Sequence, residues 1–461
     1  MVNLSKKLLV EAIFLVFLGM VTSLSLPPFN YFFINFFTFS IFFIFLYKKL
    51  NSLERRKFFF LYGWLFGFGY FVSNLYWISI SLTFDKNLKF LIPIVIILIP
   101  AFLSIFYGLI SYLFMIFKVK KVTNSLLIFS LLFVILEFIR GSILTGFHWN
   151  LIAYSFLKQL EIISITSIIG TYGFNLFCIS LFSCPALLIL KESNKELGVF
   201  LFFILCLIIF YLYGSHYKKN FYMTNEIKYD YKLRAISSNI SLDRFYSSNN
   251  PVIIIEELIE ISNPNFDEKT IFIWPEGILP NVSQKELIKY KWLFENKFNQ
   301  NHIIALGINK HTVDGDFKKY FNTFSIYDHE LNLINSYNKI NLVPFGEFLP
   351  LENFFSMIGL KSITNNYVSY SKGNKRDIIE IKKNNFSLKI LPLICYEIIY
   401  SGEIYKDNNF NIIINISEDG WFGRSIGPMQ HFAHSVFRSI ESGKYVIRSA
   451  NNGISAIINP I

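Results

Sequence analysis

Long runs of uncharged, apolar residues fill most of the first 214 positions, and they constrain the fold more than any other feature. The runs lie near residues 8–25, 30–47, 58–81, 90–117, 124–144, 161–190 and 197–214. A helix needs roughly 20 apolar residues to cross the hydrocarbon core of a bilayer. The sequence therefore predicts a polytopic transmembrane bundle of about seven helices over residues 1–214.

Lys and Arg residues are placed unevenly in the segments between these runs. One set of alternate segments carries Lys6, Lys7, Lys48, Lys49, Arg55, Arg56, Lys57, Lys118, Lys120, Lys121, Lys191 and Lys195. The intervening segments carry only Lys86, Lys89, Arg140 and Lys158. Because basic residues accumulate on the cytoplasmic side, the first set is predicted to be cytoplasmic. Residues after about 215 then lie on the outer face, which is the periplasm for a bacterial inner membrane.

The same placement explains the formal net charge of +11, so no nucleic-acid partner is predicted. Lys6 and Lys7 followed by an apolar run could imitate a signal peptide, but further spans follow directly, which favours an uncleaved first helix.

Cys395 is the only cysteine beyond the apolar runs, and no Cys/His cluster has zinc-ligand spacing. Neither a metal site nor a cofactor is predicted.

From about residue 215 the composition becomes that of a soluble α/β domain, predicted over residues 215–461. Short β-type runs lie at 232–236, 271–274, 303–307, 324–327, 388–393 and 412–416. Helical patterns lie between them at 256–262, 283–298 and 429–444. This alternation favours a layered domain with a largely buried sheet.

Glu137 and Arg140, three apart in the fifth apolar run, could form a structural ion pair or contribute to a lipid site.

Three reactive side chains follow β-type runs in this domain. Glu276 comes shortly after the run ending at Trp274, Cys395 comes after Leu393, and Lys339 follows another β-like stretch. Because sites assemble at the carboxyl ends of strands, these side chains are predicted to converge. One carboxylate, one amine and one thiol can carry out acyl transfer. His431 and His434 leave open a Cys/His arrangement with imidazole as the base.

The surrounding residues are similar to a known family. Trp274–Glu276, Lys339 with Pro344–Glu347, and Cys395–Glu397 resemble the Glu, Lys and Cys signatures of the nitrilase superfamily, in the same order. The preceding apolar runs narrow this resemblance to its membrane-embedded branch, the apolipoprotein N-acyltransferases. Further similar segments are Gly146–Trp149, Pro344–Pro350, Asn415–Gly423, Gln430–His431, Arg438–Glu441 and Arg448–Ser455.

The resemblance implies an α-β-β-α sandwich with catalytic Glu276, Lys339 and Cys395. Glu347, Tyr396 and Glu397 are implied to support them. The implied reaction moves an acyl chain from a phospholipid through a Cys395 thioester to the N-terminal diacylglyceryl-cysteine amine of an apolipoprotein, the last step of lipoprotein maturation. Such an enzyme is a ping-pong acyltransferase whose partners are membrane lipid, a phospholipid donor and the apolipoprotein acceptor.

Two parts of the chain depart from the family pattern. Residues 239–246 lack an amide and a lysine that members commonly carry there, which puts substrate contacts of that loop in doubt. Members usually continue with more sheet and a final membrane helix, and the 461 residues are expected to lack both. A membrane-tethered nitrilase-like amidase and a truncated non-catalytic remnant are the alternative interpretations.

Overall fold

The computed structural model describes residues 2–50, 56–223, 230–246, 250–314, 317–350, 369–383, 386–404 and 408–461. The chain divides into two compact units. The first comprises residues 1–223, 424–433 and 461, and the second comprises residues 224–423 and 434–460. The last helix of the first unit continues to Met223, beyond residue 214.

The first unit is helical. Its α-helices are α1 (Val2–Ser23), α2 (Ile34–Lys49), α3 (Phe59–Leu75), α4 (Ile92–Phe117), α5 (Val122–Ser142), α6 (Leu160–Ile163), α7 (Thr166–Ser183), α8 (Pro185–Ile189) and α9 (Asn194–Met223). Short 3-10 helices cover Tyr76–Thr83, Lys89–Leu91 and Ile152–Phe156.

Within the described residues, five helical stretches are long and apolar enough to cross a membrane. They are Phe59–Thr83, Lys89–Phe117, Val122–Ser142, Thr166–Ile189 and Asn194–Met223. The first two predicted spans coincide with α1 and α2, and their crossing of the membrane stays a prediction. Large apolar side chains remain exposed on these helices, such as Leu98 (62%) and Phe202 (58%). Such exposure is expected of helices that face lipid and not water.

Glu137 and Arg140 are both buried inside the first unit, on α5. The Arg140 guanidinium lies 3.9 Å from the Glu137 carboxylate and donates to the Trp149 carbonyl at 2.9 Å. Glu137 accepts hydrogen bonds from Tyr107 and Asn175. The two charges therefore share a network of polar partners, as buried ionisable groups in membrane helices require.

The second unit contains two five-stranded sheets. The first has the order β1-β2-β3-β4-β5, built from β1 (Lys232–Ala235), β2 (Thr270–Ile273), β3 (His302–Asp314), β4 (Phe317–Asp328) and β5 (Leu333–Asn338). The second has the order β10-β9-β8-β7-β6, built from β6 (Ile379–Lys383), β7 (Phe386–Ile394), β8 (Ile412–Glu418), β9 (Tyr445–Asn451) and β10 (Ala456–Ile458). Strands β1, β2 and β3 run parallel, as do β7, β8 and β9.

Alternating side chains of the first sheet build two cores. Ile271 and Ile273 of β2 point into a cluster that includes Ile390 and Ile414 of the second sheet. Phe272 and Trp274 point the other way, into a cluster with the helices α10 (Pro251–Ser262) and α11 (Lys291–Phe294). This alternation follows from the two-residue period of a strand. The domain is an α/β nitrilase-like sandwich, as predicted, and the part of α12 (Gly427–Ser442) from His434 onward belongs to it.

The predicted helix over residues 283–298 is wrong. Only a 3-10 turn at Leu287–Tyr290 and the four residues of α11 are helical there. Two local features prevent a longer helix. The amide of Gln284 bonds to the Asn309 carbonyl of β3 at 2.7 Å, and Asn296 takes a left-handed conformation (φ 65°) just after α11. The apolar residues of this segment still pack on the sheet, so the sequence pattern indicated their burial but not their backbone conformation.

Candidate active site

Glu276 lies just past the carboxyl end of β2. Its side chain is buried, with 6% of the residue exposed. A Cβ atom on Gly307 of the neighbouring strand β3 would lie 2.6 Å from the Glu276 Cα atom. The glycine therefore allows the two backbones to pack directly, and Gly277 turns the chain away with a φ of 55°. The carboxylate is thus held at the edge of the sheet.

Lys339 directly follows β5. Its backbone amide donates to the Asn322 carbonyl of β4 at 2.8 Å, which continues the strand pairing by one residue. The ammonium is almost completely buried (1% exposed). Its Nζ atom lies 3.2 Å from Glu276 Oε1 and 3.0 Å from Glu347 Oε1. The Lys339 ammonium is therefore shared by two predicted site carboxylates, Glu276 and Glu347, which are far apart in sequence.

Asn322 is a member of this cluster that sequence reasoning missed. Its side-chain amide donates to Glu276 Oε1 at 2.7 Å and to Glu347 Oε1 at 2.8 Å. It lies within the alternating strand β4 and is buried. The predicted strand at 324–327 stops short of Asn322, so the sequence pattern gave no direct signal for it.

The second oxygens of both carboxylates bond to backbone amides. Glu276 Oε2 accepts from the Glu418 amide at 3.0 Å, and Glu347 Oε2 accepts from the Val343 amide at 2.8 Å. Each carboxylate is thus held through both of its oxygens. Residues of β4, the residue after β5 and the end of β8 orient Glu276, and the loop amide of Val343 adds to the hold on Glu347.

Cys395 is the first residue after β7 and begins the 3-10 turn Cys395–Ile399. Its φ of 49° lies in the left-handed region, which is uncommon for a residue with a side chain. Such backbone strain persists only where the surroundings enforce it, and it occurs often at active sites. The sharp turn at the strand end presents the thiol beside the charged cluster, with 8% of the residue exposed.

The charges of this cluster act on one another's protonation. Burial raises the pKa of the Cys395 thiol well above its ordinary value, the Glu276 carboxylate raises it further, and the Lys339 ammonium opposes both. Burial alone would lower the pKa of Lys339, but Glu276 and Glu347 outweigh it, so that pKa is raised. At neutral pH the site therefore holds a protonated thiol beside a charged ammonium.

Glu397 is buried and connects the turn at Cys395 to the turn after Lys339. Its Oε2 accepts from the Ile394 amide at 2.9 Å, and its Oε1 accepts from the Ile340 amide at 2.9 Å. The same Oε1 accepts from the Tyr337 hydroxyl at 2.7 Å and lies 3.2 Å from the Arg376 guanidinium. Glu397 therefore holds the backbones on both sides of the site in register. Tyr396 is also buried, and its ring packs edge-on against Tyr400.

Of the two histidines considered as a base, His431 lies outside the unit that holds Cys395. His431 belongs to the first unit, where its ring stacks on Trp149 at a centroid distance of 5.4 Å. Among the residues that the structure describes, no group of three His, Cys, Asp or Glu side chains is placed to hold a metal ion. The Glu276 and Asp419 carboxylates both act on the thiol, with Glu276 the stronger influence, and Asp419 is paired with the Arg448 guanidinium.

The raised pKa of Cys395 predicts a steep pH dependence of its modification. The rate of alkylation by iodoacetamide should rise about tenfold per pH unit between about pH 7 and about pH 9, since only the thiolate reacts. Mass spectrometry of the peptide that contains Cys395 separates this rate from those of the other cysteines. A rate that is already constant below about pH 8 would show that the thiol pKa is depressed instead.

Comparison with known proteins supplies the family. Residues 18–184 match the family described as the apolipoprotein N-acyltransferase N-terminal domain, and residues 274–461 match the carbon-nitrogen hydrolase family. A solved structure of the nitrilase-superfamily protein Nit3 from Saccharomyces cerevisiae is 18% identical and covers 50% of this chain and 82% of its own, with a TM-score of 0.32.

Curated relatives match nearly the whole chain. The apolipoprotein N-acyltransferase of Rickettsia prowazekii (strain Madrid E) is 34% identical over 450 residues, covering 96% of this chain and 86% of the relative. That of Rhodopseudomonas palustris (strain ATCC BAA-98 / CGA009) is 30% identical over 475 residues, covering 98% of this chain and 86% of the relative. With membrane-type helices, a nitrilase-like sandwich and relatives of this extent, the chain belongs to the apolipoprotein N-acyltransferase family.

Proposed function

We propose that this protein moves an acyl chain from a membrane phospholipid to Cys395, and then to the α-amino group of a diacylglyceryl-cysteine at the N-terminus of an apolipoprotein. Membership of an acyltransferase family supports the reaction class. The observation that carries the residue roles is the buried Lys339 ammonium, shared by Glu276 and Glu347 beside a strand-end thiol. We assign Glu276 as the base, Lys339 as the oxyanion partner and Cys395 as the nucleophile.

In the first step the Cys395 sulfur attacks the ester carbonyl carbon of the donor. Because the thiol is protonated at rest, its proton must leave as the bond forms, and Glu276 accepts it. The carbonyl oxygen becomes an oxyanion, which Lys339 stabilises. The bond to the lysophospholipid oxygen then breaks, and Glu276 returns the proton to that oxygen. The acyl chain remains on Cys395 as a thioester.

In the second step the lipoprotein amine attacks the thioester carbonyl. An α-amine has a reference pKa of about 7.7–8.0, so a large neutral fraction is present near pH 7.5. Glu276 removes the excess proton from the attacking nitrogen, and Lys339 again faces the oxyanion. The carbon–sulfur bond breaks, Glu276 gives the proton to the departing sulfur, and an amide is released. The resting site is restored.

Glu347, Tyr396 and Glu397 are proposed as supporting residues. Glu347 keeps Lys339 charged and in place through its contact at 3.0 Å. Glu397 fixes the backbones at Ile340 and Ile394, next to Lys339 and Cys395. Partners that orient reacting groups in this way typically contribute about 10- to 100-fold to activity.

The proposed location is the bacterial inner membrane, with a multi-pass bundle over about residues 1–214 and a periplasmic catalytic domain from about residue 215. The twelve basic residues in alternate segments support this orientation, since seven crossings from a cytoplasmic start end outside. The donor would then reach the site from the surrounding bilayer.

A thioester-trapping assay tests the function. Full-length protein in detergent micelles is mixed with a phospholipid that carries a labelled acyl chain, quenched in acid, and examined for label that hydroxylamine releases. A diacylglyceryl-cysteine peptide is then added. Label on the protein followed by transfer to the peptide amine is expected. Release of free fatty acid alone would support an amidase-like hydrolase, and absence of label would support a non-catalytic protein.

A further inference from the structure

Arg244 is a fully buried arginine (0% exposed) in the 3-10 turn Leu242–Phe245 of the second unit. Its Nη1 atom donates to the carbonyls of Ile240 at 3.2 Å and Ser241 at 2.9 Å. Its Nη2 atom bonds to the Glu418 carboxylate and lies 3.4 Å from the Gly277 carbonyl. One guanidinium thus joins three separate segments of the domain.

Two of these segments hold the proposed base. Gly277 directly follows Glu276 in the chain, and the Glu418 backbone amide donates to Glu276 Oε2 at 3.0 Å. The Glu418 side chain is itself fixed by the Asn451 amide at 2.7 Å and by the Gly420 backbone amide at 2.9 Å. The position of the Glu418 amide therefore depends on how its own carboxylate is anchored.

We infer that Arg244 is a positioning residue for Glu276, which it orients from two sides, through Gly277 and through Glu418. The inference rests on the proposed role of Glu276 as the base. It also gives the loop over residues 239–246 a function other than substrate contact. With no exposed surface, and with its guanidinium stacked on the Phe245 ring at 4.5 Å, Arg244 acts from inside the domain.

The electrostatics of Glu418 explain why replacing Arg244 should disturb the site. Burial raises the pKa of Glu418, while Arg244 and Asn451 favour its ionised form. Without Arg244 the buried carboxylate loses its countercharge and must either take up a proton or move. Movement at the end of β8 would shift the amide that bonds to Glu276. A misplacement of about 1 Å at a reacting group can cost about 10²-fold in rate.

The test measures single-turnover acylation of full-length protein in micelles with labelled phospholipid, and separates its rate constant from its amplitude. Loss of folded protein lowers the amplitude, because fewer sites react, whereas a misdirected base lowers the rate constant. The variants are Arg244→Met, Arg244→Lys and the double variant Arg244→Met with Glu418→Gln. Arg234→Met is the matched control, since Arg234 bonds to the carbonyls of Ser262 and Asn263, away from Glu276.

For Arg244→Met we expect a rate constant lowered about 10- to 100-fold, with full amplitude and an unchanged KM for the donor. Arg244→Lys should lose about tenfold, because one ammonium cannot reproduce a fork whose Nη2 reaches Glu418 and Gly277 while its Nη1 holds the carbonyls of Ile240 and Ser241. The double variant should recover about tenfold over Arg244→Met, because a neutral Gln needs no countercharge and its single carbonyl oxygen can still accept from the Gly420 amide. The acylation rate constant and amplitude of Arg234→Met should match those of the wild type.

A wild-type rate constant in Arg244→Met would overturn the inference, as would an effect confined to amplitude or KM, or a double variant no faster than the single one. If Arg244→Met gives no folded protein, Arg244→Lys decides alone, and a wild-type rate constant at full amplitude counts against the inference. Failure of the proposed function is distinct, because the wild-type protein would then form no thioester, or would release its label only as free fatty acid with no transfer to the peptide.

Discussion

Replacing Cys395 with Ala should abolish the labelled thioester while leaving the protein folded and inserted in the membrane. The sulfur is the only protein group in the proposed mechanism that forms a bond to the acyl chain, so no covalent route remains without it. Loss of a nucleophile typically costs about 10⁶-fold, far more than loss of a group that only assists. The peptide acceptor should therefore receive no label from the Cys395→Ala protein.

Cys206→Ala is the matched control for this experiment. Cys206 is another reduced cysteine of the chain, located on α9 and partly accessible. Its replacement should leave both the thioester and the transfer to peptide at wild-type levels. Thermal unfolding of both variants in detergent shows that the folded fraction is comparable. A hydroxylamine-sensitive adduct on Cys395→Ala protein would refute the assignment of the nucleophile.

The three catalytic residues predicted from sequence share one property: each lies just after a strand. Glu276, Lys339 and Cys395 could be found because apolar strand patterns end next to them and because their order resembles a family. The two-residue period also predicted the strands that became β1 to β4, β7 and β8. These features are local, so they are readable without tertiary contacts.

The residues that sequence reasoning missed act across the fold. Asn322 bonds to both carboxylates only because β4 pairs with the segment that carries Lys339. Arg244 reaches Glu418, 174 positions later, only in the folded domain. A buried amide or arginine produces no periodic sequence pattern, and its hydrogen-bond partner depends on how the sheets pack. The wrong helix at 283–298 has a similar cause, since the contact of Gln284 with β3 overrides the local pattern.

The protonation of the site links its geometry to its chemistry. A thiol whose pKa is raised cannot rely on a standing population of thiolate, so the proton acceptor must lie beside it. In the proposed mechanism Glu276 is that acceptor, and bonds from Lys339, Asn322 and the Glu418 amide orient its oxygens. These donors hold the carboxylate in place until the thiol proton moves. In the proposed mechanism a preorganised base thus takes the role that a low thiol pKa has in other cysteine enzymes.

Replacing Lys339 with Met should have the second largest effect, on both rate and stability. The buried ammonium is the countercharge for Glu276 and Glu347, and in the proposed mechanism it also stabilises the oxyanion. Removing an oxyanion partner typically lowers the rate about 10²- to 10³-fold. Removing one partner of a buried ion pair typically costs about 3–5 kcal/mol in the free energy of unfolding. Acylation rates and thermal unfolding in detergent measure the two effects separately.

The double variant Lys339→Met with Glu347→Gln separates stability from catalysis. The Glu347→Gln change removes one of the two carboxylates left without a countercharge, and the carbonyl oxygen of the new amide could still accept from the Asn322 amide. Much of the lost thermal stability should return, because fewer buried charges are unpaired. The acylation rate should stay low, because no ammonium faces the oxyanion. If the rate instead recovers to within tenfold of wild type, Lys339 serves only to stabilise the fold, and the oxyanion must be bound by another group.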